Sequence, residues 1–237
     1  MKRPRLRSVL VLLALVAATS GAWLAADVLP RRPLNDRTWV PEQARIPSVR
    51  VEGSTVHIAD VRDFRHHADA PPDERWFNDT YDAAGVRRVW FVLSPFSARF
   101  RALAHPFLSF EFEDGRYLAV SVEARKEVGE SYSAVGGLLR RFEAMIVMGT
   151  ERDLLGLRAV AWGDPLYLFP VRATPEQAQA LFVMLMERAQ ALEHTPEFYN
   201  TLTNNCTTNL IAPINALAAD ERRVRRRIGI MPGYAYE

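Results

Sequence analysis

The stretch that constrains the fold most is "HPFLSFEFEDGRYLAVSVEAR", residues 105–125, where two alternating segments flank a turn. Side chains in a strand point to opposite faces in turn, so the loop length decides which residues of the two strands share a face. A two-residue loop, Asp114-Gly115, would place the apolar row of one strand beside the polar row of the other. A three-residue loop that also includes Glu113, with Gly115 in the left-handed conformation, separates the two rows. The pattern therefore predicts a hairpin with a three-residue loop.

In this register the polar row brings an imidazole close to a carboxylate, because His105 lies opposite Glu123. A carboxylate bound to one ring nitrogen fixes the tautomer and raises the basicity of the other nitrogen. The alternative is an ordinary surface pair that contributes little. The apolar row consists of Leu108, Phe110, Phe112, Leu118, Val120 and Val122, and the polar row of His105, Ser109, Glu111, Ser121, Glu123 and Arg125.

The N-terminus combines a basic flank, residues 1–7, with an uncharged segment, residues 8–26. As a helix these nineteen uncharged residues reach about 28 Å, which is enough to cross the hydrocarbon layer of a membrane. We expect a retained transmembrane anchor over residues 8–29 with the basic flank in the cytoplasm. Ser20-Gly21-Ala22 also fits a signal-peptide cleavage site. In both cases the rest of the chain lies outside the cytoplasm.

Proline content and the alternation of apolar and polar residues divide the remaining chain into a linker and one domain. Residues 30–48 contain Pro at 30, 33, 41 and 47 and predict an extended linker, which leaves residues 49–237 as one domain. Within it, "VRVEGSTVHIADVRDF" predicts a hairpin, and "VRRVWFVLSPF" and "PLYLFPV" predict strands. "RHHADAPPDERWFNDTYD" is polar and rich in turn residues, so it predicts a loop.

Two helices are predicted between the hairpin and the C-terminus. A short helix is expected over residues 134–143, followed by mixed strand and turn. A second helix starts at the cap Thr174, with Pro175 and Glu176 in its first turn. Its apolar stripe predicts a face buried in the core and consists of Ala178, Leu181, Phe182, Leu185 and Ala189.

The only cysteine, Cys206, follows a turn that is rich in helix-capping residues. Thr203, Asn204 or Asn205 can cap a helix whose first turn contains the thiol. The positive end of the helix dipole stabilises a thiolate there, and the free amides can hold the oxyanion of a tetrahedral intermediate. Pro213 is expected to bend or end this helix early. The structural alternative is a buried cysteine that packs as a small apolar side chain.

The charge balance limits the partners. The chain has 30 Lys and Arg against 28 Asp and Glu, a formal net charge of +2, which argues against a nucleic-acid-binding protein. The sequence contains no phosphate-binding glycine loop, serine-elbow motif or zinc-binding cysteine set, so no metal and no cofactor is expected. The basic segment 222–227 predicts either a solvated helix face or a contact with anionic lipid.

Four stretches together resemble the Lnb-type N-terminal periplasmic domain family of bacterial lipoprotein N-acyltransferases, over roughly residues 37–237. They are "AHPFLSFEF", "SVEARKEVGESYS", "RRFEAMIVMGTERDLLGLR" and "FYNTLTNNCTTNL". The resemblance implies an α+β domain with a circularly permuted papain-like (NlpC-type) fold, in which an antiparallel sheet packs on helices. In such a fold the histidine strand precedes the cysteine helix, as His105 precedes Cys206 here.

The resemblance also implies roles for individual residues. Cys206 would be the nucleophile, His105 the general base and acid, and Glu123 the carboxylate that orients the ring. Further residues lie in the matching motifs or beside the nucleophile and are candidates for binding substrate or supporting the site. They are Ser121, Arg125, Glu127, Glu130, Tyr132, Glu151, Arg152, Asn204 and Asn205.

The function implied by the resemblance is that of a membrane-anchored periplasmic acyltransferase in the bacterial inner membrane. An acyl chain would pass from a phospholipid donor, through a thioester on Cys206, to the N-terminus of a lipoprotein acceptor. One alternative is a periplasmic cysteine hydrolase or peptidase that acts on an ester, a peptide or a peptidoglycan amide. Another is a non-catalytic periplasmic assembly module. Transfer and hydrolysis use the same residues, so the sequence leaves both open.

Overall fold

A computed structural model describes residues 6–96, 103–219, 223–225, 228 and 233 of the chain. The chain forms two compact units, one that ends at Pro33 and one that begins at Leu34. The first unit contains helix α1, Leu6–Trp23, which continues as a π-helix over Leu24–Val28. The segment Ser8–Val28 is long and apolar enough to cross a membrane. The predicted apolar N-terminal helix is therefore confirmed.

The second unit is a mixed α+β domain, and its described residues form an eight-stranded sheet. The strands are β1 Ser48–Glu52, β2 Thr55–Arg62, β3 Trp76–Asp82, β4 Val86–Pro95, β5 Ala104–Phe112, β6 Tyr117–Arg125, β7 Glu143–Gly149 and β8 Tyr167–Pro170. The helices are α2 Ala134–Leu138, α3 Glu151–Gly156, α4 Pro175–His194 and α5 Cys206–Leu217, and α3 continues as a π-helix over Leu157–Ala161. Short 3₁₀ turns occur at Pro41–Gln43 and Ala83–Gly85. The strand order is β1-β2-β7-β6-β5-β4-β8, with β3 paired to β2. Only the β2–β7 pair among these is parallel.

The β5–β6 hairpin has the predicted register. Leu108 pairs with Val120, and the Phe112 amide donates a hydrogen bond of 3.0 Å to the Arg116 carbonyl across the three-residue loop. Gly115 has a φ of 82°, in the left-handed region that a residue with a Cβ rarely adopts. The separation of apolar and polar rows was thus sufficient to select the loop. The hairpin expected in "VRVEGSTVHIADVRDF" and the strands expected in "VRRVWFVLSPF" and "PLYLFPV" also form.

Both faces of the central sheet are covered. On the apolar face the hairpin packs against α4 and α5, and the rings of Phe110 and Phe182 meet edge to face at 5.2 Å. The predicted core stripe of α4 is buried, and the helix begins with the predicted Thr174 cap. On the other face a second apolar cluster includes Leu154 of α3. Ser109 and Ser121 are fully buried there and His105 and Arg125 are also buried, so most of the polar row of the hairpin is enclosed, whereas Glu111 and Glu123 are partly exposed.

Three expectations about secondary structure are corrected. The loop expected over residues 65–82 contains strand β3, which pairs with β2. Its Trp76, Phe77 and Tyr81 favour a strand, whereas the polar residues between them hide the pattern. The helix expected over residues 134–143 ends at Leu138, because the chain from Glu143 joins the sheet beside β6.

Helix α5 runs through Pro213 to Leu217 and does not end early at the proline. Proline removes one backbone donor, and the resulting cost is offset because Leu210 and Pro213 itself are buried against the core.

Residues 34–44, which we call the strap, belong to the domain, whereas composition suggested a linker as far as residue 48. The Val40 amide donates to the Lys126 carbonyl at 3.1 Å, and the Leu34 amide donates to Glu143 at 3.2 Å. The guanidinium of Arg125 stacks over the Trp39 ring, 4.1 Å from its centroid. These contacts cross long stretches of sequence, so local proline content does not reveal them.

Candidate active site

A cavity of about 270 Å³ lies where strand β5 begins, strand β6 ends and helix α5 begins. Cys206, His105 and Glu123, the three residues predicted to carry the chemistry, all line it. Two further predicted residues, Tyr132 and Asn205, also line it. Much of the remaining wall is apolar and comes from Phe96, Leu103, Ala104, Val122, Ala124, Ala134 and Trp162.

The His105 ring is held by a carboxylate and a hydroxyl on the neighbouring strand. Its Nε2 lies 3.2 Å from Glu123 Oε1 and 2.7 Å from Ser121 Oγ. The Ser121 hydroxyl donates to Glu123 Oε1 at 2.7 Å, so it accepts the hydrogen bond from Nε2. Nε2 is therefore the protonated nitrogen in the neutral ring, and Nδ1 is left for the thiol. The side chains of His105 and Glu123 are only 8% and 23% exposed, so the pair is not the ordinary surface pair considered from the sequence.

The thiol belongs to the first residue of α5. The side chain of Asn205 caps the helix by accepting hydrogen bonds from the amides of Thr207 and Thr208, at 2.9 and 2.8 Å. The Thr208 hydroxyl completes the capping box by accepting a hydrogen bond of 2.8 Å from the Asn205 amide. The expected cap is thus present. The amide of Cys206 itself, at the positive end of the helix, has no intrahelical acceptor and is suited to bind an oxyanion.

The sulfur has polar neighbours although the residue is only 7% exposed. The Tyr199 hydroxyl lies 4.0 Å from Cys206 Sγ, and the Thr207 hydroxyl oxygen lies 3.7 Å from it. Burial by itself fits the structural alternative of an inert cysteine. The polar neighbours and the cavity that it shares with His105 fit a reactive thiol.

The electrostatics of the site favour an ion pair. Burial would lower the pKa of His105, but the Glu123 carboxylate, together with the Cys206 thiolate, raises it to about 9. Burial would raise the pKa of Cys206, but the charge of His105 and a hydrogen bond from it lower that pKa overall. Burial also works against ionised Glu123, yet His105 and Arg158 hold its pKa well below its ordinary value. These shifts favour an ion pair of thiolate and imidazolium beside an ionised carboxylate over the neutral forms of the three groups.

Arg158 is a site residue that the sequence did not single out. It lies on the π-helical turn after α3 and is almost fully buried. Its Nη2 donates to Glu123 Oε1 at 3.0 Å, and its guanidinium lies 4.9 Å from the centroid of the Phe107 ring. This cation helps to keep Glu123 ionised and opposes the protonation of His105. A lone charge within "LLGLRAVAW" hinted at a buried cation, but nothing local identified its partner.

Tyr199 is the second residue that the sequence did not identify. A hydrogen bond of 2.9 Å from its amide to the Phe142 carbonyl holds it beside the sheet, and its ring also lines the cavity. Burial, and then the Cys206 thiolate, raise the pKa of Tyr199, so its hydroxyl stays protonated and can donate a hydrogen bond. "FYNTLTNNC" contains this tyrosine, but its spacing does not separate a core side chain from one that faces the sulfur.

Arg125, Glu127 and Glu130 support the site from outside the cavity. Arg125 donates to the carbonyls of Gln43 and Ala44 in the strap, both at 2.9 Å. Glu127 forms an ion pair of 2.7 Å with Arg37 of the strap, while Glu130 forms one of 2.8 Å with Arg141. The strap in turn contributes Gln43 to the cavity wall.

Glu151, Arg152 and Asn204 also lie off the cavity. Glu151 accepts a hydrogen bond of 2.6 Å from the buried Ser109, at the start of α3. Arg152 forms an ion pair of 2.6 Å with Asp63. Asn204 donates to the Phe198 carbonyl within its own loop at 2.9 Å. These residues fasten α3 and the cysteine loop to the sheet.

Two remaining expectations concern metal ligands and the basic segment. In the described part of the chain, no group of three or more His, Cys, Asp or Glu side chains could hold a metal ion. Of the basic segment 222–227, only residues 223–225 are described, so the expected contact with anionic lipid lies largely outside the described residues.

Fold and site together define a mixed α+β domain with a buried cysteine–histidine–carboxylate constellation, preceded by an apolar helix. The family model described as the Lnb N-terminal periplasmic domain matches residues 72–228. This match covers more than half of the chain, so the protein belongs to that family, and the resemblance noted from the sequence is confirmed. No curated protein and no solved structure matches the chain. Family and helix together indicate a membrane-anchored periplasmic domain.

Proposed function

We propose that the protein is a cysteine-dependent acyltransferase of the periplasmic face of the bacterial inner membrane. It takes an acyl chain from a phospholipid and delivers it to the N-terminal amine of a lipoprotein. The observation that carries the proposal is the imidazole of His105, held by Glu123 on one nitrogen and facing the cavity of Cys206 with the other. No cofactor is required for this chemistry.

In the first step the thiolate of Cys206 attacks the carbonyl carbon of the donor ester, and a carbon–sulfur bond forms. The amide of Cys206 and the hydroxyl of Tyr199 are the donors best placed for the resulting oxyanion. The intermediate collapses as the carbon–oxygen bond to the glycerol breaks. The imidazolium of His105 gives its proton to the departing oxygen, so a lysophospholipid leaves and a thioester remains.

In the second step the lipoprotein amine attacks the thioester. The neutral His105 takes a proton from the attacking nitrogen, the carbon–nitrogen bond forms, and the carbon–sulfur bond breaks to restore the thiolate. An apolar cavity keeps water away from the thioester and so favours an amine over water as acceptor. Apolar walls also suit an acyl chain better than a polar glycan or peptide.

The order of the residues supports a relation to the permuted papain-like thiol fold. The histidine and its carboxylate lie on successive antiparallel strands, and the nucleophile follows on a later helix that packs against that sheet. The same arrangement serves hydrolysis if water takes the place of the amine. A test must therefore separate transfer from hydrolysis and from a non-catalytic module.

The experiment traps the intermediate. The full chain is incubated in phospholipid nanodiscs and analysed by intact mass, with Cys206→Ser and His105→Gln as test variants. We expect wild type to gain the mass of one acyl chain, to lose it in hydroxylamine, and to show no gain in either variant. The matched control is His57→Gln, because His57 lies outside the cavity and bonds to Thr80 at 3.0 Å.

The acceptor decides between the two reactions. Addition of a diacylglyceryl-cysteine peptide should move the acyl group from Cys206 to the peptide amine. Release of free fatty acid, with the peptide unchanged, would identify a hydrolase. If wild type forms no adduct with any phospholipid and Cys206→Ser leaves lipoprotein acylation in cells unchanged, the enzymatic proposal is wrong.

A further inference from the structure

Four large apolar side chains surround the mouth of the cavity and are exposed. Phe96 is 56% exposed, Leu103 53%, Tyr132 43% and Trp162 56%, and all four line the cavity. We call these four residues the collar. Scattered exposed apolar residues are common, but a cluster around one opening marks an interaction surface.

We propose that the collar inserts into the periplasmic leaflet of the membrane that holds the N-terminal helix, so that the cavity opens directly onto lipid. The biological role of this insertion rests on the proposed function, because it would let a phospholipid donor enter the site without leaving the bilayer. Its physical basis is separate from that function. It consists of the side chains of the collar, the short segment that joins the domain to the apolar helix, and the positive charge of Lys126 in the cavity wall.

The composition of the collar fits the boundary between lipid and water. Phe and Leu bury apolar surface in the acyl region, while Trp and Tyr combine an apolar body with a polar group and are enriched at headgroup level. The domain cannot move far from the membrane, because only Leu29–Pro33 separate it from the apolar helix. Five extended residues reach about 18 Å at most.

The charge at the mouth suits a phospholipid headgroup. Lys126 lines the cavity and is partly exposed, and within the described part of the chain its ammonium forms no ion pair. The nearby carboxylates Glu127 and Glu130 are paired with Arg37 and Arg141. The cation at the opening is therefore available for a phosphate.

A peptide is a poorer occupant, because polar groups of the wall are already used. Gln43 Nε2 donates to the Ala124 carbonyl at 3.2 Å, and its Oε1 accepts from the Lys126 amide at 2.7 Å. Thr201 Oγ1 donates to the Ala134 carbonyl at 2.7 Å. With these groups engaged, the wall offers an entering ligand mainly apolar surface, which suits lipid better than a peptide backbone.

Tryptophan quenching tests the insertion. The full chain, with Trp23→Phe to remove the fluorophore of the apolar helix, is placed in nanodiscs of ordinary or bromine-labelled phosphatidylcholine. We expect bromine in the upper part of the acyl chain to quench one emission component. That component should be lost in Trp162→Phe and kept in the matched control Trp90→Phe, since Trp90 lies outside the cavity.

Two further variants separate the docking from the chemistry. The double variant Phe96→Asp, Leu103→Asp should lose the quenching while iodoacetamide still alkylates Cys206, which shows that the site remains folded. Cys206→Ser should keep the quenching, so a failure of the acyl-transfer proposal leaves this test intact. Equal emission from Trp162 in both lipids would overturn the inference. Quenching that needs two chains in one disc would assign the collar to a second copy and overturn it as well.

Discussion

Replacement of Glu123 by Gln removes one charge from the buried ion pair and keeps the size of the side chain. In the wild type Glu123 Oε1 lies 3.2 Å from His105 Nε2 and also accepts hydrogen bonds from Ser121 and Arg158. The glutamine oxygen can still accept both bonds. The variant therefore tests the charge of the carboxylate with little change in packing.

The size of the effect follows from the causes of each pKa. Once Glu123 is neutral, burial and Arg158 act together to lower the pKa of His105, and only Cys206 still raises it. We expect a neutral ring at pH 7, which leaves the thiol without its cation. An ordinary cysteine with a pKa of about 8.5 is only about 3% thiolate at pH 7, so a thiol that is fully ionised in the wild type would lose roughly 30-fold in its thiolate fraction. A more basic thiolate is a better nucleophile, and this reduces the loss of rate to about tenfold.

The assay is the rate of iodoacetamide alkylation of Cys206 as a function of pH. The alkylation rate of wild type should reach its plateau at a lower pH than that of an ordinary thiol, because the pKa of Cys206 is lowered. Glu123→Gln should react about tenfold more slowly at pH 7 and accelerate up to pH 8.5 or above. The matched control, Glu111→Gln, removes a carboxylate from the same row of the hairpin and should follow the wild-type profile. If the profiles of Glu123→Gln and wild type coincide, the ion pair inferred from the geometry does not exist.

Three other predictions concern stability. Asn205→Ala and Thr174→Ala each remove a helix cap and should each lower the free energy of unfolding by about 1 kcal/mol in urea titrations. Only the Asn205 variant should also slow alkylation of Cys206, and equal alkylation rates in both variants would show that the cap does not position the thiol. The pKa of His105 rises from 6.5 in the unfolded chain to about 9 in the fold, so the contribution of this proton to stability is complete below pH 6.5 and is lost as the pH rises to about 9. In the wild type the thiol of Cys206 gives up a proton when His105 gains one, which offsets this slope, so the test uses Cys206→Ser, in which the Glu123 carboxylate still raises the pKa of His105. The urea midpoint of Cys206→Ser should fall over this range more steeply than that of the double variant Cys206→Ser, His105→Asn, and parallel curves would contradict the shift. Arg125→Lys loses the stacking on Trp39 and the pair of hydrogen bonds to the strap carbonyls, so it should lower the free energy of unfolding by about 2 kcal/mol and expose the strap to trypsin. An unchanged rate of tryptic cleavage in the strap would mean that other contacts hold it.

The sequence predicted those parts of the fold that depend on neighbouring residues. The alternation of the hairpin and Gly115 selected one register, because a shift by one residue would have exposed an apolar row. Thr174 marked one helix start and the run Thr203, Asn204 and Asn205 marked another for a similarly local reason, since a cap bonds to amides two or three residues away; the structure then selected Asn205 from that run. The contact between His105 and Glu123 followed from the register, so half of the site could be placed from the residue pattern alone.

Strand β3, the strap and the two unpredicted site residues depend on partners that are distant in sequence. β3 is a polar strand that exists because β2 offers it a hydrogen-bonding partner. The strap has the composition of a linker, and the stacking of Arg125 over Trp39 shows that it packs on the domain. Arg158 and Tyr199 take their roles from groups brought near them by the sheet and the cysteine loop. A single sequence without aligned relatives carries no sign of such pairings.

The amino-acid sequence alone thus determined the apolar helix, the hairpin register, the starts of two helices and the choice of a cysteine, a histidine and a glutamate as the candidate site. The tertiary structure decided that most of the polar row is buried and that Arg158 lies against the Glu123 carboxylate. It also decided that the opening is ringed by exposed aromatic and aliphatic side chains. The physical reason is one of range: periodicity and capping act over a few residues, whereas desolvation and charge interaction depend on every segment that folds back onto the site.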